Sequence, residues 1–374
     1  MNKLAIDLLW VRPGKVGGTE VYIRNLLDGF LELNTDYKIV LLTSIDNVHT
    51  FKHYTKDKRF EILCTKVKSE NIGGRIIWQY LLQNAFLKRN GIRHVFVPVY
   101  CRPFFNGGVH YINTIHDIQA YHFPKYHPFH ELLYSYVTWF AAARFTRDVI
   151  TTSEYVRDDI CEHFGFKQDR ITVIPIPVSV ETDDIEPFDQ LAEQYGIEKG
   201  EYYYTVSQNI PHKNFKTLVR VIARIKEQGL NLPDKLLVSG ISGNGTDEVN
   251  QLIGNYRLQD NIIHTGYISN GVRNSLCQNA RAFLFPSYYE GFGIPPVEAM
   301  MLGQRVITTK ATSIPEVTKG AAEYVDNPEN VDDWIRIMTK NTTVDPDIQD
   351  IFKCYDRTVL AKRYMEYLME KISD

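Results

Sequence analysis

Short apolar runs rich in Val, Ile, Tyr and Phe alternate with amphipathic stretches along most of the chain. Such runs are typical of strands that are buried on both faces. The strands predicted in the first half lie at 4–10, 37–44, 94–100, 110–115, 148–153 and 171–176. Those predicted in the second half lie at 201–207, 234–240, 261–267, 281–287, 304–309 and 322–326. Helical patterns between the strands, such as 19–33, indicate parallel sheets covered by helices.

An acidic, proline-containing stretch at 181–200 separates the two alternating sets. We therefore predict an α/β protein with two doubly wound, Rossmann-like domains, at 1–185 and 196–354. A further strong helical pattern covers 355–372. Ligands of doubly wound sheets bind outside the carboxyl ends of the strands, so the expected site is a cleft that the two domains face.

The composition is that of a globular protein, with 374 residues, of which 44% are hydrophobic and 23% charged. No apolar run reaches the roughly 18–20 residues that a membrane-spanning helix needs. The apolar start at 4–10 has no cleavage site, which favours a strand over a signal peptide. The five cysteines are scattered and never form CxxC, a pattern that fits a reducing cytoplasm and no structural zinc site.

The net charge of −3 conceals an asymmetry. Residues 1–180 carry 22 Lys and Arg against 17 Asp and Glu, whereas the rest of the chain carries 20 against 28. The densest basic stretch, 51–70, has six basic and three acidic residues and is expected to project from the first domain. It is either an ordinary solvated surface or a contact for an anionic membrane leaflet or a phosphorylated acceptor. Nucleic acid is not an expected partner, because the chain is acidic overall and carries no recognition motif.

The stretch SYYEGFGIPPVEAM (287–300) follows an apolar strand and contains two glycines, two prolines and two glutamates. Pro295 and Pro296 are tolerated in the first turn of a helix. The start of a helix offers unpaired N–H groups and partial positive charge, and Gly291 and Gly293 let the backbone approach a ligand closely. These features predict an anion site, most naturally for phosphate.

Two carboxylates flank this predicted anion site. An ionised carboxylate only accepts hydrogen bonds, so Glu298 could hold the two hydroxyls of a ribose, and Glu290 those of a sugar attached to the phosphate. Alternatively, Glu298 complements the helix dipole and Glu290 is a surface residue of the loop.

The E-x7-E spacing of Glu290 and Glu298 within FPSYYEGFGIPPVEAM closely resembles the retaining GT-B glycosyltransferases of family 4. Other stretches that resemble the family, in the same order, are GGTE (17–20), TIHD (114–117), TTSEYVRDDI (151–160), PHKN (211–214) and TGYIS (265–269). The resemblance spans about residues 4–310 and so covers both domains. It implies the GT-B fold, in which the last helix, from Tyr355, crosses back so that 355–374 joins domain 1–185.

The resemblance also implies roles for individual residues. Lys213 would neutralise the departing diphosphate, Glu298 would hold the ribose, and Glu290 would meet the sugar hydroxyls. His116 would hydrogen-bond or position the transferred sugar, while Asp117 would orient this region. The predicted catalytic residues are thus His116, Glu290 and Lys213. The resemblance implies three further contacts with the donor. Gly17 and Gly18 would close over the phosphate, and the amides of Phe292, Gly293 and Ile294 would bind it. The loop that contains Tyr267 and Ile268 would lie against the base.

One position departs from the family pattern. The family usually has an arginine a few residues before the lysine, where this chain has Gln208 and His212. Either Arg273 or Arg12 supplies the missing charge, or the leaving group is stabilised less strongly.

The implied reaction is retaining transfer of a hexose from a nucleotide-sugar, without a metal or another cofactor. GDP-linked and dTDP- or UDP-linked hexoses stay open as donors, with GDP-mannose favoured. The expected acceptor is a growing surface polysaccharide or a lipid-linked glycan, reached from the cytoplasm by peripheral contact with the inner face of the membrane.

Two further patterns are not interpreted as metal sites. The only Asp-x-Asp, at 345–347, does not end an apolar strand. His122, His127 and His130 fit no standard zinc spacing, and we expect them on an acceptor-facing or interdomain loop.

Three other classes of protein stay open. A Rossmann oxidoreductase would need the glycines of GISGNGTDE (240–248), where the third glycine of the fingerprint is missing. Another GT-B enzyme, such as an epimerase or an inverting transferase, would have the same fold. A non-catalytic sugar-nucleotide-binding protein would have it too.

Overall fold

The computed structural model describes residues 3–100, 103, 105–180, 185–206, 210–240, 243, 245–340, 342–345 and 347–373. The chain divides into two compact units, Met1–Val178 with Tyr355–Asp374, and Ser179–Cys354. The predicted domains were 1–185 and 196–354, so their boundaries differ from those of the units only in the connecting stretch. Residues 181–184 of that stretch lie outside the described residues.

The first unit is built on one parallel sheet of seven strands. The strands are β1 Lys3–Asp7, β2 Lys38–Thr43, β3 Phe60–Cys64, β4 His94–Val97, β5 His110–Ile115, β6 Asp148–Thr151 and β7 Ile171–Val173. Their order is β3-β2-β1-β4-β5-β6-β7, which is the doubly wound order of nucleotide-binding sheets with one strand added at the edge.

The second unit repeats this plan with six parallel strands. They are β8 Tyr203–Val206, β9 Leu236–Ser239, β10 Ile262–Gly266, β11 Ala282–Phe285, β12 Val306–Thr309 and β13 Glu323–Val325. The order β10-β9-β8-β11-β12-β13 again reverses direction beside the first strand of the unit. The predicted α/β class with two Rossmann-like domains is therefore confirmed.

Helices connect the strands in both units. In chain order they are α1 Gly18–Glu32, α2 Ile72–Leu81, α3 Gln83–Arg89, α4 Gln119–His122, α5 Phe129–Phe145, α6 Glu154–Phe164, α7 Phe188–Tyr195, α8 Phe215–Gln228, α9 Thr246–Asn255, α10 Asn270–Gln278, α11 Ile294–Met301, α12 Ile314–Val317, α13 Val331–Met338, α14 Ile348–Phe352 and α15 Arg357–Ser373. Short 3-10 helices lie at Val48–Lys56, Pro124–Tyr126, Gln168–Arg170, Pro211–Lys213 and Lys353–Tyr355. Among the described residues, no helix is both long and apolar enough to cross a membrane.

The core of each unit follows from the sequence periodicity. Helix α8, for example, places Leu218, Ile222 and Ile225 on one face, at the spacing of successive helical turns. These side chains are buried in one cluster with Leu236 and Val238 of the neighbouring strand β9.

One strand was not predicted. Strand β3 lies inside the basic stretch 51–70 and pairs in parallel with β2, so that Phe60 is opposite Ile39 and Cys64 is opposite Thr43. It is an edge strand with a largely accessible surface, and its surroundings are charged, so the apolar signal is weak.

The basic stretch therefore does not project from the first unit, contrary to the sequence-based expectation. Its first residues belong to the 3-10 helix Val48–Lys56, and later residues form β3 at the edge of the sheet. Arg59 is bound in place, because its guanidinium donates to the Asp57 carboxylate at 2.7 Å and to the Leu31 carbonyl at 2.8 Å. Five lysines stay exposed: Lys52, Lys56, Lys58, Lys66 and Lys68.

The chain returns to the first unit at its end. The N–H of Val178 donates to the carbonyl of Tyr355 at 2.8 Å, and α15 then packs on α1. The two helices approach so closely that a Cβ at Gly29 would lie 2.5 Å from Cβ of Ala361. The predicted return of the last helix to the first domain is confirmed, and only glycine fits this crossing without displacement.

Candidate active site

The loops after β8 and β11 meet at the point where the strand order of the second sheet reverses. Strands β8 and β11 are paired neighbours, and their following loops carry Lys213 and Glu290. The N–H of Tyr288 donates to the carbonyl of His212 at 2.8 Å, so the two loops are tied by their backbones. A reversal point of this kind is where doubly wound sheets bind their ligands.

Lys213 and Glu290 form an ion pair at this point. Nζ of Lys213 donates to Oε1 of Glu290 at 2.6 Å and to Oε2 at 2.8 Å. The hydroxyl of Ser287 donates to Oε1 as well, at 2.6 Å. The lysine side chain keeps 24% of its surface exposed and the glutamate 11%. The pair is thus partly desolvated yet still open to a ligand.

The position of Lys213 depends on the residue after it. Asn214 adopts the left-handed region, with φ 52°, between the 3-10 helix and α8. Its side chain donates to the carbonyl of Pro328 at 3.0 Å and accepts from the hydroxyl of Thr217 at 2.8 Å. Asparagine is one of the few residues that tolerate this backbone, and here its amide also fixes the turn.

The glycine-rich loop is a tight turn that leads into α11. Gly293 has φ 90° and caps the helix, which begins at Ile294 with prolines in its first turn. The hydroxyls of Thr312 and Ser313 each donate to the carbonyl of Glu290 at 2.9 Å. Ser313 also lies 3.2 Å from the carbonyl of Phe292. These two hydroxyl residues, which no sequence motif identified, hold the turn in shape.

Glu298 is buried within α11 and is paired with Arg273 of α10. Nη2 of Arg273 lies 3.1 Å from Oε1 of Glu298. Burial raises the pKa of the Glu298 carboxyl above its usual value, and the arginine opposes this shift. Among the described residues Oε2 makes no hydrogen bond, so it can accept from a ribose hydroxyl.

Arg273 was considered as a possible substitute for the family's arginine at the diphosphate. The structure pairs it with Glu298, and its role at the diphosphate stays a prediction. Gln208 is one of the two residues found where the family usually has an arginine, and it lies outside the described residues. His212, the other one, is buried. Arg12 is half-buried in the first unit.

The loop after β10 carries the two residues predicted to lie against the base. Tyr267 exposes 88% of its surface, directly after Gly266, whose φ is +70°. Ile268 is half-buried, and Ser269 then caps α10 by accepting from the N–H of Val272 at 3.3 Å. An exposed aromatic ring on a fixed loop is suited to stacking on a base, and this role stays a prediction.

In the first unit, Gly17 and Gly18 lie at the start of α1. Gly17 caps the helix with φ 62° and ψ −136°, a backbone that favours glycine. Glu20 holds the preceding loop, because its carboxylate accepts from the N–H of Gly14 at 2.8 Å and from Arg24 at 2.7 Å. Glu20 belongs to the GGTE stretch, but no role was predicted for it.

His116 follows β5 and is held in one tautomer. Its Nε2 lies 2.8 Å from the carbonyl of Pro98, which can only accept, so Nε2 carries the proton. Burial lowers the pKa of the ring to about 4, so the imidazole is neutral at physiological pH and Nδ1 is an acceptor. The ring packs edge-on against Tyr22. Asp117 accepts from the N–H of Gln119 at 3.0 Å and so shapes the start of α4.

Both units match models of one class of protein, the glycosyltransferases. The model described as "Glycosyltransferase Family 4" matches residues 16–182, and "Glycosyl transferases group 1" matches 187–343. The chain belongs to the family 4 glycosyltransferases and has their GT-B fold.

Curated relatives are similar over part of their length. The chain is 30% identical to O-antigen chain mannosyltransferase B of Escherichia coli over 224 residues, which are 59% of this chain and 58% of the relative. It is 27% identical to O-antigen chain mannosyltransferase RfbU of Salmonella typhimurium over 242 residues, 65% and 63% of the two chains. The matches thus span less than two thirds of these relatives.

Solved structures match over the whole chain. HepE of Anabaena, in complex with UDP and glucose, has a TM-score of 0.75 at 17% identity, covering 99% of this chain and 100% of that one. Sucrose-phosphate synthase from Thermosynechococcus elongatus has a TM-score of 0.77 at 15% identity, covering both chains fully. Because the sequence identities are only 15–17%, these matches show a similar fold and nothing further.

Proposed function

We propose that the chain transfers a hexose from a nucleotide-sugar to a glycan or lipid-linked glycan during synthesis of a surface polysaccharide, with retention of configuration. The observation that carries this proposal is the Lys213–Glu290 pair beside the turn of Gly293, at the reversal point of the second sheet. Membership of the family and relatives named as O-antigen mannosyltransferases support the same reaction class.

The diphosphate is bound by Lys213 and by the amides of Phe292, Gly293 and Ile294. The start of α11 adds partial positive charge at the same place. The ammonium group of Lys213 is held by Glu290 beside this turn, so a diphosphate bound there has to share Lys213 with Glu290. Glu298, held by Arg273, offers its second oxygen to the ribose.

In this proposal Glu290 positions the sugar. A carboxylate has about four acceptor positions, of which Lys213 and Ser287 use three in Glu290, so Oε2 can still accept from a sugar hydroxyl. The neutral His116 ring can accept through Nδ1. Neither group needs to change its protonation state to do this.

The chemical step is a displacement on one face of the sugar. The bond from the anomeric carbon to the diphosphate oxygen breaks, and the acceptor oxygen forms its bond on the face that the diphosphate leaves. The acceptor proton passes to a phosphate oxygen. No metal is required in this proposal, because Glu290 and Glu298 are each compensated by a side-chain cation, while Lys213 and the amides face the charge of the leaving group.

The donor is GDP-mannose in our proposal. The curated relatives named above are mannosyltransferases, whereas the HepE structure contains UDP. The test is a hydrolysis screen of GDP-mannose, UDP-glucose and dTDP-rhamnose with the purified chain, followed by calorimetry with GDP and UDP. We expect release of mannose and tighter binding of GDP. Preference for UDP-glucose would contradict the donor assignment and leave the transferase class intact.

The other classes are separated by the products. An epimerase would convert one nucleotide-sugar into another without releasing the nucleotide, and an inverting transferase would give the opposite anomer. A binding protein would bind the donor without any turnover. Of the glycine stretch 240–248 on which the oxidoreductase alternative rests, residues 241, 242 and 244 lie outside the described part. Absence of a nicotinamide absorbance change with candidate donors would exclude that alternative.

We place the protein in the cytoplasm, in peripheral contact with an anionic membrane through its first unit. The five exposed lysines of 51–70 provide positive charge. Helix α5 of the same unit adds exposed apolar side chains, with Phe129 at 78%, Phe140 at 65% and Leu133 at 53% exposure.

Vesicle sedimentation tests this contact. Replacing Lys52, Lys56 and Lys58 by Gln should weaken binding to anionic vesicles at least tenfold, because each lysine near such a surface contributes about 1 kcal/mol. The matched control replaces Lys199, Lys319 and Lys340, exposed lysines of the second unit, and changes the net charge equally. Equal binding of all variants to neutral and anionic vesicles would contradict the proposal. A further variant, Phe140→Ser, tests helix α5. If only this variant loses vesicle binding, the contact is made by α5 instead.

A further inference from the structure

Two histidines and an aspartate converge in the first unit. His122 ends α4, and Asp159 and His163 lie one turn apart on α6. Nε2 of His122 is 2.9 Å from both carboxylate oxygens of Asp159, and Nε2 of His163 is 3.4 Å from Oδ1. The three possible ligand atoms all lie within 4.8 Å of one another.

These distances are close to those of a tetrahedral metal site. Zinc–nitrogen and zinc–carboxylate bonds are about 2.0–2.2 Å, so two ligand atoms of a tetrahedral ion are about 3.4 Å apart. Small side-chain movements would therefore bring Asp159, His122 and His163 to metal-binding distance. Two imidazoles with one carboxylate are a donor set that zinc and similar transition metals prefer.

The surroundings of the cluster also suit a bound cation. The Asp159 side chain is only 5% exposed, whereas those of His122 and His163 are 26% and 24% exposed, which leaves one side open for a water ligand. The ring of Tyr121 lies 4.5 Å from that of His163 and restricts its orientation. An open groove of about 790 Å³, lined largely by aromatic and aliphatic side chains of α4, α5 and α6, adjoins His163.

We propose that His122, Asp159 and His163 bind a zinc-class divalent cation that fixes α4 against α6. Helix α4 begins three residues after His116, so the ion stabilises the segment that follows the predicted sugar-binding histidine. The ion has no part in bond making or breaking, and the proposal is independent of the donor and acceptor. Motif spacing does not reveal this cluster, because Asp159 and His163 lie far along the chain from His122.

Titration of the metal-stripped full chain with Zn²⁺ by calorimetry tests the proposal. We expect one ion per chain, with at least tenfold weaker binding in His163→Ala and Asp159→Asn. The matched control is His130→Ala, an exposed histidine of the same region, which should bind as the wild type does. Binding should tighten from pH 6 to pH 8, because the ligands must lose protons. Zn²⁺ should raise the unfolding temperature of the wild type and of His130→Ala, but not of the cluster variants.

Co²⁺ provides a readout that does not depend on the variants folding. A stoichiometric complex with the wild-type chain should show the intense visible absorption of a tetrahedral site. Absence of this spectrum, binding well below one ion per chain, or equal affinity in all four proteins would overturn the proposal. The cluster would then be a hydrogen-bonded His–Asp–His arrangement only.

Discussion

The ammonium group of Lys213 lies 2.6 Å and 2.8 Å from the two carboxylate oxygens of Glu290, although 77 residues separate them along the chain. The pair compensates its own charge when the diphosphate is absent. If Lys213 binds the diphosphate as proposed, the diphosphate competes with Glu290 for Lys213. The proposal thus links the affinity for the leaving group and the orientation of the sugar through one contact.

Glu290→Gln should separate these two functions. Without the carboxylate, the full charge of Lys213 is available to phosphate, so we expect calorimetry to show unchanged or tighter binding of the nucleoside diphosphate. Turnover should fall about 100-fold, because the group that steers the sugar is lost. The matched control is Glu329→Gln, a carboxylate that accepts from Tyr288 of the same loop at 2.8 Å but does not touch Lys213. If diphosphate binding weakens as much as turnover falls, Glu290 acts on the nucleotide instead.

Glu298→Gln should weaken binding of the nucleoside diphosphate with little effect beyond that. The carboxylate contact to the ribose is worth roughly 1.5–3 kcal/mol as a charge-assisted hydrogen bond. The variant keeps the shape of the side chain and an oxygen that can accept from Arg273, but it removes the charge that compensates this arginine. Thermal unfolding therefore has to be measured alongside calorimetry. Unchanged affinity in a folded variant would contradict the assignment of Glu298 to the ribose.

The fold could be predicted from the sequence because buried parallel strands appear as apolar runs. Twelve of the thirteen strands were found in this way. Strand β3 was missed because it is at the edge of the sheet and lies among lysines, so burial leaves little pattern in it. The same residues then suggested a projecting basic stretch, although Arg59 is bound by backbone carbonyls.

The site was predictable only in part. The glycine turn and the start of α11 are local features, and the motif around Glu290 placed them correctly. The pairing of Glu298 with Arg273 and the support from Thr312 and Ser313 join residues that are distant in sequence. Such contacts depend on how the strands are ordered in the sheet, which single residues do not reveal.

Gly29→Ala should destabilise the first unit. The added Cβ would lie 2.5 Å from Cβ of Ala361 and 2.8 Å from the carbonyl oxygen of Arg357, so α1 and α15 must move apart. Overpacking of this kind costs about 1–3 kcal/mol in the free energy of unfolding. Gly254→Ala in α9 is the matched control, since its Cβ would meet nothing within 4 Å. That change should be neutral or stabilising by up to about 1 kcal/mol. Urea unfolding of both variants decides, and equal stability would show that the crossing relaxes freely.

His116 should make the stability of the protein fall in mild acid. Its folded-state pKa is about 4, below the unfolded value of about 6.5, so between these pH values the unfolded chain binds the extra proton. The free energy of unfolding therefore decreases as pH falls from about 6.5 towards 4. His116→Gln should show a smaller loss between pH 7 and pH 5 in denaturant unfolding. The other histidines contribute equally to the wild type and to the variant. If both proteins lose the same free energy of unfolding between pH 7 and pH 5, His116 is not buried in the neutral form.

The stereochemistry and metal requirement of the transfer are tested together. With Lys213, the glycine turn and the start of α11 facing the diphosphate, the leaving group is stabilised by fixed charges and amides, and we expect full activity in excess EDTA. The anomeric coupling of the product, read by NMR, should show retention. Loss of activity that Mg²⁺ or Mn²⁺ restores would contradict the metal-independent step. Loss that only Zn²⁺ restores, and that His163→Ala shows without EDTA, would point to the His122–Asp159–His163 cluster instead. An inverted product would contradict attack on the face that the diphosphate leaves, because that geometry can only retain the configuration.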